Sequence, residues 1–105
     1  MNRRHDPAPV PAGVYTREYY LHKRQGADEF AASGGRALSP IHARLLSLAA
    51  PAPGRRILDV GCGCGELTIH AALAGADATG VDYAPDAHAI AIETASKLGA
   101  RARFL

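Results

Sequence analysis

The segment 57–67, with the sequence ILDVGCGCGEL, constrains the fold more than any other part of the chain. Its first four residues are apolar apart from Asp59, which is typical of a short parallel strand. Glycines at positions 61, 63 and 65 follow, and a helical pattern begins directly after them. A strand, a turn without side-chain bulk and a helix N-terminus, in this order, predict an α/β fold with a ligand site at the turn.

The sequence after position 55 predicts parallel βαβ units. Strands are expected at 56–60, 76–82 and 101–105, and the helices between them at 66–74 and 85–98. Each of these helices is followed by a glycine, which commonly ends helices. The alternation predicts a Rossmann-like parallel sheet with helices on both faces, incomplete because only its first three strands are present.

The chain before the first strand divides into two parts. Residues 1–13 are basic and rich in proline, so we predict a disordered lead-in. Residues 14–54 are expected to form N-terminal helices, the last of which has Ser39 as its N-cap and Pro40 as its first residue. Residues 55–105 then form the first half of a truncated Rossmann-like domain.

Two apolar groups stand out in the N-terminal part. The helix that begins at Pro40 carries Ile41, Leu45 and Leu48 on one face. An aromatic group earlier in the chain has two possible roles, which are packing onto the sheet and capping the ligand site. Its members are Tyr15, Tyr19 and Tyr20.

The residues around the glycine turn distinguish between two ligand classes. Dinucleotides prefer G-x-G-x-x-G, and Glu66 stands where that motif has its third glycine. The carboxylates of Glu66 and Asp59 would repel a pyrophosphate, whereas Asp59 can attract an ammonium group. Asp82 ends the second strand and can accept hydrogen bonds from a ribose, and Tyr83 is placed to lie against adenine. A nucleoside with a cationic tail therefore fits better.

The motif ILDVGCGCG, together with Gly80, Val81 and Asp82, resembles the first two motifs of class I S-adenosylmethionine-dependent methyltransferases. The resemblance implies S-adenosylmethionine as the cofactor and methyl transfer to an unidentified acceptor, with a small molecule favoured. It covers residues 55–105, so the residues that contact the acceptor are expected to be absent and the catalytic residues are unknown. The expected cofactor-binding residues are Asp59, Gly61, Cys62, Gly63, Gly65, Asp82 and Tyr83.

Two alternatives remain open at this point. One is a NAD-dependent oxidoreductase on a Rossmann sheet, and the other is a truncated binding module without catalytic activity. Cys62 and Cys64 lack the spacing of a redox or zinc site, and the histidines show no ligand spacing, so no metal is expected. A net charge of +2 gives no nucleic-acid footprint, and no apolar run suggests a membrane span. Reduced thiols predict a cytoplasmic protein.

Overall fold

The computed structural model describes residues 9–19, 30 and 32–105. A short 3-10 helix at Ala12–Val14 comes first. From position 40 onward, where every residue is described, three helices and three strands alternate as α1 (Pro40–Ala49), β1 (Arg56–Val60), α2 (Glu66–Leu73), β2 (Asp77–Val81), α3 (Pro85–Leu98) and β3 (Arg103–Phe104). This order confirms the predicted Rossmann-like α/β class. The division at positions 13 and 54 stays a prediction, and Tyr20 and residues 1–8 lie outside the described residues.

Local sequence signals set the ends of two helices. The Ser39 side chain accepts a hydrogen bond from the His42 backbone N–H at 3.2 Å, and Pro40 occupies the first turn of α1. Pro85 opens α3 in the same way, and Gly99 ends it with a left-handed φ of 69°. Both helices therefore begin with proline, as predicted. Proline lacks a backbone N–H, which costs nothing at this position because the first N–H groups of a helix have no partner within the helix.

The three strands form one parallel sheet in the order β1-β2-β3. Ile57 pairs with Ala78 and Asp59 with Gly80, so the ends of β1 and β2 lie side by side. Consecutive strands that are also neighbours require crossovers in the same direction. Because such crossovers are right-handed, α2 and α3 cover the same face of the sheet.

Burial along the strands agrees with this one-sided arrangement. Ala78 and Gly80 of β2 are buried beneath the helices. On the opposite face of β1, Leu58 is 65% exposed and Val60 is 77% exposed. The second layer of helices that we expected is therefore not among the described elements, since both crossovers proceed in one direction across the sheet.

The core consists mainly of small side chains. One cluster joins Ala71, Ala76 and Ala78, and Leu46 of α1 and Ile57 of β1 pack against it. Alanine allows helices to approach the sheet closely but buries little apolar area per residue. Among the described residues, no helix is both long enough and apolar enough to cross a membrane.

Candidate functional site

The glycine turn connects β1 to α2 at the carboxyl end of the sheet. Gly61, Gly63 and Gly65 have φ values of 73°, 57° and 80°, which residues with a side chain adopt only at a cost. A Cβ at Gly65 would also lie 2.8 Å from a ring carbon of Phe104, whereas one at Gly61 would meet nothing within 4 Å. Gly65 thus allows close packing, while Gly61 leaves open space beside the backbone.

Hydrogen bonds join this turn to the end of β2. The carbonyl of Val81 accepts from the N–H groups of Gly61 at 2.7 Å and Cys62 at 3.0 Å. One carboxylate oxygen of Asp82 accepts from the Gly63 N–H at 2.8 Å. The other accepts from the Ala84 N–H at 2.9 Å. Asp82 therefore connects the turn to the start of α3 as well as standing at the predicted ribose position.

Asp59 is held differently, by a side chain from the following helix. The Thr68 hydroxyl, which is fully buried on α2, donates to an oxygen of Asp59 at 2.9 Å. Burial raises the pKa of Asp59, and the bond from Thr68 opposes part of that rise. The carboxyl group is thus fixed in position and only partly hydrated.

Gly80 makes this arrangement possible. It lies in β2 opposite Asp59, and a Cβ there would lie 2.7 Å from the Thr68 hydroxyl oxygen and 2.8 Å from the Cys62 sulfur. Neither atom could stay in place beside a larger residue. Gly80 therefore provides the space in which Thr68 reaches Asp59.

The two cysteines of the turn are buried free thiols. Burial, together with the nearby charges of Asp59 and Asp82, raises the pKa of Cys62 to about 12. A thiol with such a pKa is a poor nucleophile and a poor metal ligand near neutral pH. Within the part of the chain that the structure describes, no group of His, Cys, Asp and Glu residues could hold a metal ion.

Tyr83 lies at the edge of the site and is 59% exposed. Its hydroxyl donates to the Val10 carbonyl at 2.9 Å. Its ring meets that of Tyr15 edge to face with centroids 5.9 Å apart, and Tyr15 meets Tyr19 in the same manner at 5.2 Å. Tyr15 and Tyr19 also pack against a core cluster that contains Cys64. The described N-terminal tyrosines therefore lie beside the turn rather than on the remote end of the sheet.

The structure brings the seven predicted site residues to neighbouring ends of two strands. Thr68 was not predicted, because only the folded structure reveals its bond to a residue nine positions earlier. Gly80 was part of the recognised motif, but nothing in the sequence assigned it the role of making space. Glu66, which we used against a pyrophosphate, is only 4% exposed at the first position of α2.

A Rossmann-like sheet with a glycine turn and two acids at its carboxyl end defines a nucleoside-binding α/β domain. Comparison with known proteins narrows this class. Residues 57–105 match the methyltransferase domain family. A curated relative is the ubiquinone biosynthesis O-methyltransferase of Bordetella avium, which is 49% identical over 49 residues, or 46% of this chain and 20% of that protein.

Two solved structures extend the similarity beyond the matched segment. A methyltransferase from Geobacter sulfurreducens, described as S-adenosylmethionine-dependent and in complex with S-adenosyl-L-homocysteine, has a TM-score of 0.64 and 26% identity, covering 91% of this chain and 36% of that one. A second structure, described by the conversion of a disulfide bond into a thioacetal group during echinomycin biosynthesis, has a TM-score of 0.61 and 31% identity. The similarity covers 90% of this chain and 36% of that one.

These findings agree with the resemblance seen in the sequence. The family match over residues 57–105 and the similarity to a solved S-adenosylmethionine-dependent methyltransferase support the predicted class I S-adenosylmethionine-dependent methyltransferase. The chain spans about a fifth of the length of the curated relative and about a third of each solved structure.

Proposed function

We propose that the glycine turn and its two acids bind S-adenosylmethionine, and that the chain is the cofactor-binding portion of a methyltransferase. The observation that carries the proposal is the meeting of Asp59, the turn and Asp82 at adjacent strand ends, joined by the 2.8 Å bond from the Gly63 N–H to Asp82. S-adenosylmethionine has an ammonium group, an amino-acid tail and a ribose. An acid, a glycine turn and a second acid, in this order along the site, would match these three parts. The Geobacter relative, described in complex with S-adenosyl-L-homocysteine, supports it.

Asp59 and Asp82 would hold the two polar ends of the ligand. Asp59 would attract the amino group of the methionine part, since burial leaves its charge only partly screened by water. Asp82 would accept from the ribose hydroxyls. Both of its oxygens already accept one backbone N–H, but a carboxylate oxygen has a second lone pair, so two further donors can bind.

The remaining predicted residues would contact the ligand through backbone or ring. The positive φ values of the glycines would allow close backbone approach to the methionine part, with Gly61 the exposed residue of the turn, and the partly exposed tyrosine ring would offer a face to adenine. The residues concerned are Gly61, Cys62, Gly63, Gly65 and Tyr83.

The reaction that such a site serves is the transfer of a methyl group from a sulfonium to a nucleophile in line with the leaving sulfur. The contribution of these residues is to hold the donor in one orientation and to exclude water around it. We further propose a small-molecule acceptor, because the curated relative is named for ubiquinone biosynthesis and a structural relative for echinomycin biosynthesis. A cytoplasmic location stays a prediction based on the free thiols.

Calorimetric titration with S-adenosylhomocysteine tests the cofactor assignment. We expect binding by the unmodified chain, and a loss of at least about tenfold in affinity for Asp82→Ala, since two ribose hydrogen bonds and the anchoring of the turn are lost. Asp77→Ala is the matched control, because Asp77 begins the same strand at the opposite end and pairs with Arg103 at 2.6 Å.

Competition with NADH separates the nucleoside ligand from a dinucleotide. Displacement of S-adenosylhomocysteine by NADH at comparable concentrations would favour the oxidoreductase alternative. Absence of S-adenosylhomocysteine binding at millimolar concentration by the folded protein, or equal losses in Asp82→Ala and Asp77→Ala, would refute the proposal.

A further inference from the structure

The side chain of Tyr83 is held by the N-terminal segment (residues 10–19). The Val10 carbonyl accepts a hydrogen bond from the Tyr83 hydroxyl at 2.9 Å. The Tyr15 ring meets the Tyr83 ring edge to face, with centroids 5.9 Å apart. Tyr83 is 59% exposed, and an exposed side chain without such contacts changes rotamer within nanoseconds. The N-terminal segment therefore restricts a ring that would otherwise move freely at the edge of the site.

Arg17 attaches this segment to the helix that follows Tyr83. Its backbone N–H donates to a carboxylate oxygen of Asp86 at 2.8 Å. Its guanidinium donates to a carboxylate oxygen of Glu93 at 2.9 Å, which forms an ion pair. Asp86 and Glu93 are about two turns apart on α3, so both lie on one face of the helix. The two contacts thus fix Arg17, close in sequence to Tyr15, at two points along α3.

Tyr15 connects the residue attached to α3 with the ring of Tyr83. Its ring also meets that of Tyr19 edge to face with centroids 5.2 Å apart, and both rings pack against the core cluster that contains Cys64. Apolar packing has no preferred direction, whereas hydrogen bonds weaken steeply when they are misaligned. The two bonds of Arg17 can therefore set the position of the segment along α3, which the packing of the tyrosines alone does not.

The contact with Tyr15 leaves one face of the Tyr83 ring for a ligand. The two ring planes meet at 68°, so Tyr15 covers at most one of the two faces of Tyr83. The Tyr83 side chain also remains more than half exposed. A ring that is already held in one orientation loses less conformational freedom when adenine stacks on it, and this lowers the entropy cost of binding.

We propose that Arg17 is a positioning residue: by attaching the N-terminal segment to α3, it lets Tyr15 fix the ring of Tyr83 before adenine binds. The inference rests on the proposed function, which assigns adenine to Tyr83. Arg17 need not contact the ligand. Its ion-pair partner Glu93 lies about 10 Å along α3 from Asp86, and α3 leads away from the strand ends that form the site. Arg17 therefore acts through the aromatic contacts.

The nuclear Overhauser effect between the rings of Tyr83 and Tyr15 tests the inference in the ligand-free protein. We expect it to fall by about half or more in Arg17→Ala, which removes the ion pair, and to recover in Arg17→Lys, which keeps the charge. Because the Arg17 side chain is 54% exposed, both variants should remain folded. Arg103→Ala is the matched control, since Arg103 forms a comparably exposed ion pair with Asp77 at the opposite end of β2. It should leave the effect unchanged.

Titration with S-adenosylhomocysteine provides the second measurement. We expect Arg17→Ala to lower the affinity about threefold, because an exposed ion pair contributes little and only the positioning of one ring is lost. Arg17→Lys should recover most of the affinity, and Arg103→Ala should bind as the unmodified protein does. In a Tyr83→Ala background, Arg17→Ala should have no further effect, since the ring on which it acts is absent. A merely structural role would lower the affinity by the same factor in both backgrounds, and that result would overturn the inference.

The outcomes separate this inference from the proposed function. If the unmodified protein does not bind S-adenosylhomocysteine, the proposed function fails, while the ligand-free experiment still decides whether Arg17 holds the ring of Tyr83. An Overhauser effect that is absent in the unmodified protein, or unchanged in Arg17→Ala, overturns the inference alone. So does an unchanged affinity in Arg17→Ala when the Overhauser effect is weakened, because the position of the ring would then contribute nothing to binding.

Discussion

The carboxyl ends of β1 and β2 each have an acid, but the two acids are held by different means. Asp82 is fixed by backbone N–H groups of the turn and of the start of α3. Asp59 is fixed by the buried hydroxyl of Thr68, and burial raises its pKa. A carboxylate that accepts hydrogen bonds from backbone N–H groups increases the free energy of unfolding. A carboxylate that is ionised and poorly hydrated decreases it. We therefore expect the two strand ends to respond differently to substitution.

The largest effect is expected for Gly80→Ala, which tests the space around Asp59. The new Cβ would lie 2.7 Å from the Thr68 hydroxyl and 2.8 Å from the Cys62 sulfur, so helix α2 must shift. We expect a loss of about 2–3 kcal/mol in the free energy of unfolding, measured with urea. Gly61→Ala is the control, because its Cβ meets nothing within 4 Å and only the left-handed φ of 73° costs energy, about 1 kcal/mol. Equal losses would show that the β1 end is not closely packed.

The next largest effect should come from Asp82→Ala. Removal of the carboxylate leaves the Gly63 and Ala84 N–H groups without their partner, and the site is only half-buried, so water compensates in part. We expect a loss of about 1–2 kcal/mol in the free energy of unfolding. Asp82→Asn, which keeps one acceptor oxygen, should lose less. A stability equal to that of the unmodified chain would contradict the anchoring role.

Asp59→Asn should increase the free energy of unfolding, whereas Asp82→Ala should decrease it. Because the pKa of Asp59 is raised in the folded state, the native protein binds a proton here more readily than the unfolded chain does. The ionised group therefore costs stability above the folded pKa, and that cost disappears as the pH falls below the unfolded value.

Asparagine removes the charge and keeps an acceptor for Thr68. We expect Asp59→Asn to gain up to about 1 kcal/mol at pH 7 and to lose the ligand. Urea unfolding at pH 7 and pH 4 measures the difference, which should shrink at the lower pH. A loss of stability at pH 7 would show that Asp59, like Asp82, stabilises the fold in its ionised form.

The smallest effect is expected for Tyr83→Phe at the edge of the β2 end. It removes the hydrogen bond to the Val10 carbonyl and leaves the ring contact with Tyr15. Since the side chain is exposed, we expect a change below about 0.5 kcal/mol in global stability. Faster amide exchange in residues 10–19 should accompany it. Unchanged exchange there would mean that the aromatic contacts, together with the bonds from Arg17 to Asp86 and Glu93, hold this segment without the Tyr83 hydroxyl.

The sequence predicted those parts of the fold that depend on local chemistry. The start of α1 at Pro40 and the end of α3 before Gly99 follow from proline, a capping side chain and glycine, and the structure has them at those positions. The glycine turn and the acids at 59 and 82 are likewise local signals. Their meeting at one edge follows from the rule that parallel strands end together.

Contacts between distant parts of the chain could not be predicted in the same way. Ile41, Leu45 and Leu48 do share one face of α1, but they are 51%, 46% and 69% exposed, and Leu46 makes the contact with the core. Helical periodicity groups side chains without saying which group meets a partner. The bond from Thr68 to Asp59 and the contact of Leu46 with the core depend on how α1 and α2 dock, which no motif encodes.

The high pKa of Cys62 has a consequence for the chemical durability of the turn. With a pKa of about 12, the Cys62 side chain is almost entirely protonated at pH 7. The thiolate is the form of cysteine that attacks peroxide and alkylating agents, so both reagents should react slowly with Cys62. The turn that we propose to bind the ligand thus contains, at Cys62, a compact and polarisable side chain that is expected to resist oxidation near neutral pH.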